Sequence, residues 1–575
     1  MKVSDFVVRF LAARGVTHVF ELSGGMITHL LDSAARNGAP KLVSMPHEQA
    51  AGFAAEGMAR MTGVPGVAFA TSGPGATNLL TAIGSCYFDS VPAVFITGQV
   101  NRSEIRDRDQ KCRQLGFQEM DIVSIAAPIT KAAFRALHPE AVGMDLYRAF
   151  SLAMSGRRGP VLLDIPMDVQ QAEVEGLESW LQAPPIGEVT PKPKIDPAAV
   201  LAPFLTALGK RPLVLVGGGV RGSGAHGSVH RLLSALWIPV VHSLMGVDVL
   251  NTDHPLNVGL IGSYGNRWAN AALAEADTVL VLGSRLDVRQ TGADVAAFER
   301  GKKIIHVDVD PGELGNHLSD AIPVKSDLGA FAEAALLLSS RPVGGFGCNT
   351  FEWRERIATL RAAWPAEAEN DLPANEINPN ALMRSISRFA IDAGAAAYVV
   401  DVGQHQMWAA QSLLIDRQRF ITSGGMGAMG FAIPAAVGVA LATKRPVVVI
   451  AGDGGAQLNL SVLHTIAKLR LPIKIVVANN FGHGMVRQFQ ASYFEGRSVS
   501  TDLTPPSFVE VARAYGIEAW GCTGSWALAR ELTWLWSKPD APALLEVAIP
   551  AGAHALPKIA FGRGLAEMDP PKPLP

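Results

Sequence analysis

Two hard oxygen donors, Asp453 and Asn480, each follow a short apolar run. Val447 to Ala451 leads into Gly452-Asp453-Gly454-Gly455, and Ile473 to Ala478 ends at Asn479-Asn480. A carboxylate and an amide oxygen at the ends of two strands suit Mg²⁺, which takes few protein oxygens and completes its shell with phosphate. The glycines let backbone amides approach an anion, and a following helix N-terminus adds a favourable dipole. Each half alone also reads as a plain turn, one with a helix-capping Asp and one with Asn-Asn; together they favour the cation and phosphate. His47-Glu48-Gln49-Ala50-Ala51 starts like a His-Glu zinc helix and fails as one, because Ala51 stands where a second His is needed. The small apolar run from Ala51 to Ala55 points to burial, and a buried Glu48 carboxylate requires a partner. Thr71-Ser72-Gly73-Pro74-Gly75-Ala76-Thr77-Asn78 closes a third apolar run and, taken alone, fits any phosphate cradle.

These residues need strands to hold them. Runs at 67–71, 93–97, 212–216, 278–282, 447–451 and 473–478 are apolar without alternation, as parallel strands buried on both faces are. Helical patterns separate them, which predicts an α/β chain of three doubly wound parallel-sheet domains, with ligands at the carboxyl ends of the strands. Pro-rich 183–198 and the Gly- and Pro-containing 340–380 read as linkers. They divide the chain into 1–182, 195–340 and 376–550, with a Pro-rich tail, 551–575, of little regular pattern.

Length and charge narrow the partners. The chain has 575 residues, and 50 Lys and Arg against 52 Asp and Glu leave −2. That balance gives no global field for nucleic acid or anionic membrane. Four cysteines are too few and too scattered for a disulfide framework or a zinc ribbon. The N-terminus enters an amphipathic pattern with Arg9 and Arg14, and no apolar run approaches membrane length. The expectation is a cytoplasmic protein.

The Asp453 and Asn480 motif is similar to the diphosphate–Mg²⁺ motif of thiamine diphosphate enzymes, and the spacing from Glu48 to the 71–78 loop resembles the acetolactate synthase branch. The resemblance covers nearly the whole chain and implies site residues. The metal ligands would be Asp453, Asn480 and the carbonyl of Gly482. Glu48 would hydrogen-bond the cofactor's pyrimidine ring. Gly25, Thr71, Gly75 and Asn78 would join it from the first block. Gln404, His405, Gly427, Met429, Gly454, Gly455, His483, Gly484 and Met485 would hold the cofactor from the third, with Met429 wedged between its rings. Phe117 and Gln118 would reach the active site, and an apolar pocket of Phe117, Met485 and Phe489 would favour decarboxylation. For the middle block the resemblance implies flavin adenine dinucleotide in a non-redox role. It would lie on Gly217, Gly218, Gly219, Ser243, Leu244, Gly262, Gly265, Gly283, Arg285, Arg289, Asp308, Val309 and Asp327. A lone G-x-G-x-x-G match such as Gly217 to Gly222 is weak evidence for a dinucleotide site on its own.

The implied reaction is decarboxylation of pyruvate and transfer of the two-carbon acetyl unit to a carbonyl acceptor. Active sites shared between subunits would make the protein a homo-oligomer. Departures from the family bear on the acceptor. Phe489 stands where a Trp is usual, Ser263 replaces a Met, and Ser23 to Met26 replaces a Pro-Gly-Gly. The substrate pocket is read as Ser23, Met26, Ser263, Arg289 and Phe489; within it the smaller Phe489 and Ser263, with a longer, charged 101–116, favour a large ketone such as a keto-sugar nucleotide, as in yersiniose-type carboligases. The retained Arg289 speaks for the alternative, a second 2-oxo acid, as in acetolactate synthase proper. Pyruvate oxidation or simple decarboxylation and a non-catalytic homologue are further alternatives.

Overall fold

The computed structural model describes residues 1–107, 109, 111–184, 209–339, 350–559 and 562–575. Its core is three six-stranded sheets in which every neighbouring pair is parallel. The first holds β1 (His18–Glu21), β2 (Lys41–Ser44), β3 (Gly66–Ala70), β4 (Ala93–Gln99), β5 (Ala132–Arg135) and β6 (Pro160–Pro166). The second holds β7 (Pro212–Val216), β8 (Val240–His242), β9 (Asn257–Leu260), β10 (Thr278–Leu282), β11 (Lys303–Asp308) and β12 (Ile322–Lys325). The third holds β13 (Ala397–Val400), β14 (Arg419–Thr422), β15 (Val447–Gly452), β16 (Ile473–Asn479), β17 (Glu518–Cys522) and β18 (Ala543–Ala548). Every residue of β3, β4, β6, β7, β10, β15 and β16 is buried, as helices on both faces require.

Strand order adds what the rhythm of the sequence did not reveal. Counted within each sheet, the first and third share the order 2-1-3-4-6-5. The middle sheet runs 3-2-1-4-5-6, the order of dinucleotide-binding folds, with its switch point between β7 and β10.

The outer sheets are joined by the helices Glu48–Thr62 and Ala432–Thr443. A Cβ on Gly57 would lie 2.2 Å from the carbonyl oxygen of Ala435, and one on Gly438 would lie 1.9 Å from that of Ala54. The two backbones touch because both positions lack side chains. Their alanine-rich faces sit in one apolar core that also takes in Phe53 and Phe431, whose rings meet edge to face.

Two segments correct the sequence reading. Within 340–380, residues Phe351–Ala363 form a helix whose Trp353, Ile357 and Leu360 are buried in the middle sheet's core. The Pro-rich linker at 183–198 lies almost wholly outside the described residues, as do Gly344 and Gly345. The tail carries an antiparallel pair, Lys558–Ile559 with Met568–Asp569, and the backbone N–H of Ile559 donates to Ser263. Among the described residues no helix is long and apolar enough to cross a membrane.

Candidate active site

All three sheets present the predicted residues beyond the carboxyl ends of their strands. In the first sheet, the turn after β1 brings Ser23 to Met26 onto the loop after β3: the Met26 N–H donates to the Thr71 hydroxyl at 3.1 Å, and Gly24 packs on the Thr71 side chain. His47 caps the helix Glu48–Thr62, its Nδ1 accepting from the Gln49 N–H. Glu48 is thereby the first helical residue, and it is only 5% exposed. Its burial demands a partner, and Asn78 is that partner, donating from Nδ2 to Oε2 at 3.0 Å. The other oxygen, Oε1, faces Gly75.

Phe117 and Gln118 reach the same loop. Gln118 sits at φ 65°, a region that side chains disfavour, with its backbone packed against Gly73. Glu119 organises the charged stretch before it, its carboxylate accepting the N–H groups of Arg106 and Leu115, both at 2.8 Å. Arg102 of the stretch is paired with Asp168 at 2.7 Å.

In the third sheet Asp453 opens a short helix, Asp453–Gln457, directly after β15, so no separate turn precedes the helix. Its Oδ2 accepts the Gly482 N–H at 2.8 Å, which brings two of the three predicted metal ligands together. Burial is the chief cause that raises the Asp453 carboxyl above its ordinary value. Asn480 is buried and donates from Nδ2 to Gln404 Oε1 at 2.9 Å. The Gly482 carbonyl accepts the Gly484 N–H at 2.8 Å, leaving it a second lone pair for a cation. His483 and Met429 both face Gly454.

His405 is the second residue of the helix Gln404–Ser412, and burial pushes its imidazole down to about 4. Its Nε2 is buried with no hydrogen-bond partner in the chain. Most buried polar atoms find a partner, so this nitrogen is free to take one from a ligand. Neutral His405, buried Asp453 and the amide of Asn480 fit a phosphate group held with a hard cation. Among the described residues no three His, Cys, Asp or Glu side chains cluster as metal ligands. A cation at Asp453 would therefore take amide, carbonyl and phosphate oxygens, as Mg²⁺ does.

Asp401 is a site residue that sequence reasoning missed. Its carboxylate accepts the N–H groups of Val402, Gly430 and Ala432, and so fixes the loop that carries Gly427 and Met429. Burial pushes it up to about 6. The signal was present, as a carboxylate directly after the apolar run of β13. A second set missed is the buried Glu56, Arg60 and Asp89. Arg60 pairs with Glu56 and, at 2.7 Å, with Asp89, whose two oxygens accept the Gly424 and Gly425 N–H groups at 3.0 and 2.6 Å.

The predicted flavin residues line the carboxyl edge of the middle sheet. Gly217 to Gly219 follow β7, Ser243 and Leu244 follow β8, Gly262 and Gly265 follow β9, Gly283 and Arg285 follow β10, Asp308 ends β11, and Asp327 follows β12. The strand order and the half-buried Asp308, whose carboxyl burial raises, fit a dinucleotide there. Three of these positions also have a structural part within the chain. A Cβ on Gly217 would meet the Gly283 carbonyl at 2.3 Å and one on Gly219 the Gly283 Cα at 2.8 Å, so these glycines serve a backbone crossing at the switch point. Asp327 caps the helix Leu328–Ser339 through the Ala330 N–H.

The substrate positions are open. Phe117 is 77% and Phe489 53% exposed, so within one chain they do not enclose the expected apolar pocket. Ser263 is tied to Arg289, its N–H and its hydroxyl both donating to the Arg289 carbonyl.

Comparison with known proteins gives a consistent result. Residues 1–125 match the N-terminal TPP binding domain of thiamine pyrophosphate enzymes, 205–335 the central domain and 401–547 the C-terminal TPP binding domain. The chain is 36% identical to the acetolactate synthase isozyme 2 large subunit of Escherichia coli (strain K12), over 99% of each chain. It is 36% identical to the acetolactate synthase large subunit of Parasynechococcus marenigrum (strain WH8102), over 97% of this chain and 89% of that one. It is 35% identical to the acetolactate synthase of Arthrospira platensis, over 97% and 96%.

Proposed function

The chain belongs to the acetolactate synthase family of thiamine diphosphate-dependent, C–C bond-forming enzymes, and from that premise we propose that it decarboxylates pyruvate and joins the two-carbon unit to a second 2-oxo acid. The observation that carries the reading is the buried Asp453–Gly482 contact beside Asn480 and Gln404, in a chain matched end to end by acetolactate synthases. The blocks 1–182, 195–340 and 376–550 would be the pyrimidine-binding, flavin-binding and diphosphate-binding units.

Thiamine diphosphate, when bound, supplies the electron sink that a 2-oxo acid needs in order to lose CO₂. The chain's part is positioning and proton control. Asp453, Asn480 Oδ1 and the Gly482 carbonyl would hold Mg²⁺, and His405 Nε2 would meet the diphosphate. Asn78 fixes Glu48 Oε2, so that Oε1 holds or releases the proton shared with the pyrimidine ring. Asp401 and Asp89 keep the 423–432 loop in place. FAD would lie along the carboxyl edge of the middle sheet, and absorbance near the flavin bands of the purified protein tests its presence.

A second reading keeps the carboligase chemistry and changes the acceptor to a ketone such as a keto-sugar nucleotide. Its support is the exposed aromatic group of Phe489, Tyr493 and Phe494, with Phe489 and Tyr493 ring centres 4.7 Å apart, and the small Ser263. Relatives named acetolactate synthase favour the first reading. Product analysis decides. Pyruvate alone, or with 2-oxobutyrate, is expected to yield acetohydroxy acids; condensation only when a cyclic ketone or keto-sugar nucleotide is added would reverse the choice.

A further inference from the structure

The chain beyond the last strand of the third sheet is wired to the proposed metal ligand. Residues 553–556 lie on one face of the helix Gln404–Ser412. Gln404 Nε2 donates to the Ala553 carbonyl at 3.4 Å, Trp408 Nε1 to that of His554 at 3.0 Å, and Gln411 Nε2 to that of Leu556 at 3.1 Å. From the helix Gly484–Tyr493, Gln488 grips Ala555 twice: its Oε1 accepts the Ala555 N–H and its Nε2 donates to the Ala555 carbonyl, both at 2.9 Å.

Those two contacts set a polarity. Backbone groups have fixed roles, so the Gln488 amide has one orientation that satisfies both. With Oε1 so placed, Gln488 also accepts from Gln404 Nε2 at 2.9 Å. Gln404 must then turn its own Oε1 the other way, where it accepts from Asn480 Nδ2 at 2.9 Å. Asn480 is left with Oδ1 facing away from the relay, which is the atom a cation needs. Gln404, Gln488 and Asn480 are all buried, so bulk water does not substitute for a lost partner.

We propose that the backbone of residues 553–555, Ala555 through Gln488 and Ala553 directly on Gln404, is a positioning element that fixes which way the Asn480 amide faces. The proposal rests on the reading that Asn480 holds the cation. It makes the C-terminal segment part of the diphosphate site without touching the ligand.

The test uses Mn²⁺ as the probe, titrated into the full-length protein with saturating thiamine diphosphate and followed by electron paramagnetic resonance. Gln488→Leu is expected to weaken Mn²⁺ binding about 10–100-fold, the usual loss when an outer-shell partner is removed. Gln488→Glu keeps an acceptor for both donors but sets its second oxygen against the Ala555 carbonyl, and should lose less Mn²⁺ binding than Gln488→Leu does. Gln411→Leu frees Leu556 but leaves the relay intact, and should also leave Mn²⁺ binding unchanged. Wild-type affinity in folded Gln488→Leu, or an equal loss in Gln411→Leu, overturns the relay. Failure of the wild type itself to bind Mn²⁺ with thiamine diphosphate overturns the underlying reading of the site instead.

Discussion

At the scale of single residues, type and position were legible while hydrogen-bond polarity was not. Asp453, Asn480 and Glu48 announce themselves as oxygen donors next to apolar runs and glycines. That Asn78 holds Glu48, or that Gln404 faces Asn480, joins residues 30 and 76 apart in the chain, which no local pattern encodes. Glu48→Gln keeps the volume of the side chain and an oxygen for Asn78, and removes the titratable proton. CO₂ release from pyruvate with thiamine diphosphate and Mg²⁺ should fall about 10²–10⁴-fold, the range of a lost acid–base group, with the melting temperature unchanged. A rate equal to wild type would remove Glu48 from the mechanism. His405 gives a second test. Its ordinary value is 6.5, and burial holds it at about 4 in the fold. Between those values the unfolded chain binds a proton that the folded protein refuses, so stability linked to this ring is complete above pH 6.5 and is lost as pH falls. His405→Gln has no such proton. Measured without cofactor, the melting temperature of the variant should gain on that of the wild type steadily from pH 6.5 to pH 4.5, and a constant difference would show that the ring titrates normally.

Elements follow the same division between local and distant causes. The strands could be read because parallel strands buried on both faces carry unbroken apolar runs, and all six runs named from the sequence are strands. The helix Phe351–Ala363 was hidden by the Pro and Gly around it, and it is held by burial of Trp353 against a core drawn from the stretch between Leu213 and Leu318 and from Leu565. The tail was illegible because its order comes from side chains of remote helices, such as Gln488 and Gln411. The junction of the two outer sheets is likewise distant in sequence. Asp89 stands after the helix Leu80–Phe88, yet its oxygens serve Arg60 and the Gly424 and Gly425 N–H groups of the third sheet's loop. Asp89→Ala leaves Arg60 short of a buried partner and two N–H groups unpaired. Breaking a buried pair in this way costs about 3–5 kcal/mol, so the melting temperature should fall clearly. The same variant should bind thiamine diphosphate more weakly, since the loop carrying Met429 loses its anchor; tight binding with a lowered melting temperature would confine Asp89 to stability.

For the whole molecule, the two halves of the site belong to different sheets, and their hydrogen bonds keep them apart. Glu48 is bonded to Asn78, whereas Asp453, Gly482, Asn480 and Gln404 bond among themselves; among the described residues no hydrogen bond joins the two groups. Large apolar side chains are also left in water near both halves: Phe88 beside the Asp89 junction, Met426 in the loop that Asp89 holds, Leu458 just past the Asp453 helix, and Phe481 beside Asn480. A contiguous apolar patch of such groups would suit a surface that another chain covers. A symmetric dimer would place Glu48 of one protomer against the Asp453 group of its partner, giving two equivalent shared sites. This arrangement makes a quantitative prediction. Glu48→Gln and Asp453→Ala should each be inactive as pure proteins. In a heterodimer of the two, one shared site carries both substitutions and the other carries neither. After full subunit exchange half of the dimers are mixed and half of their sites are intact, so activity should return to about a quarter of wild type. Sites contained within single chains would give no recovery at any mixing ratio, because every chain would still hold one substitution.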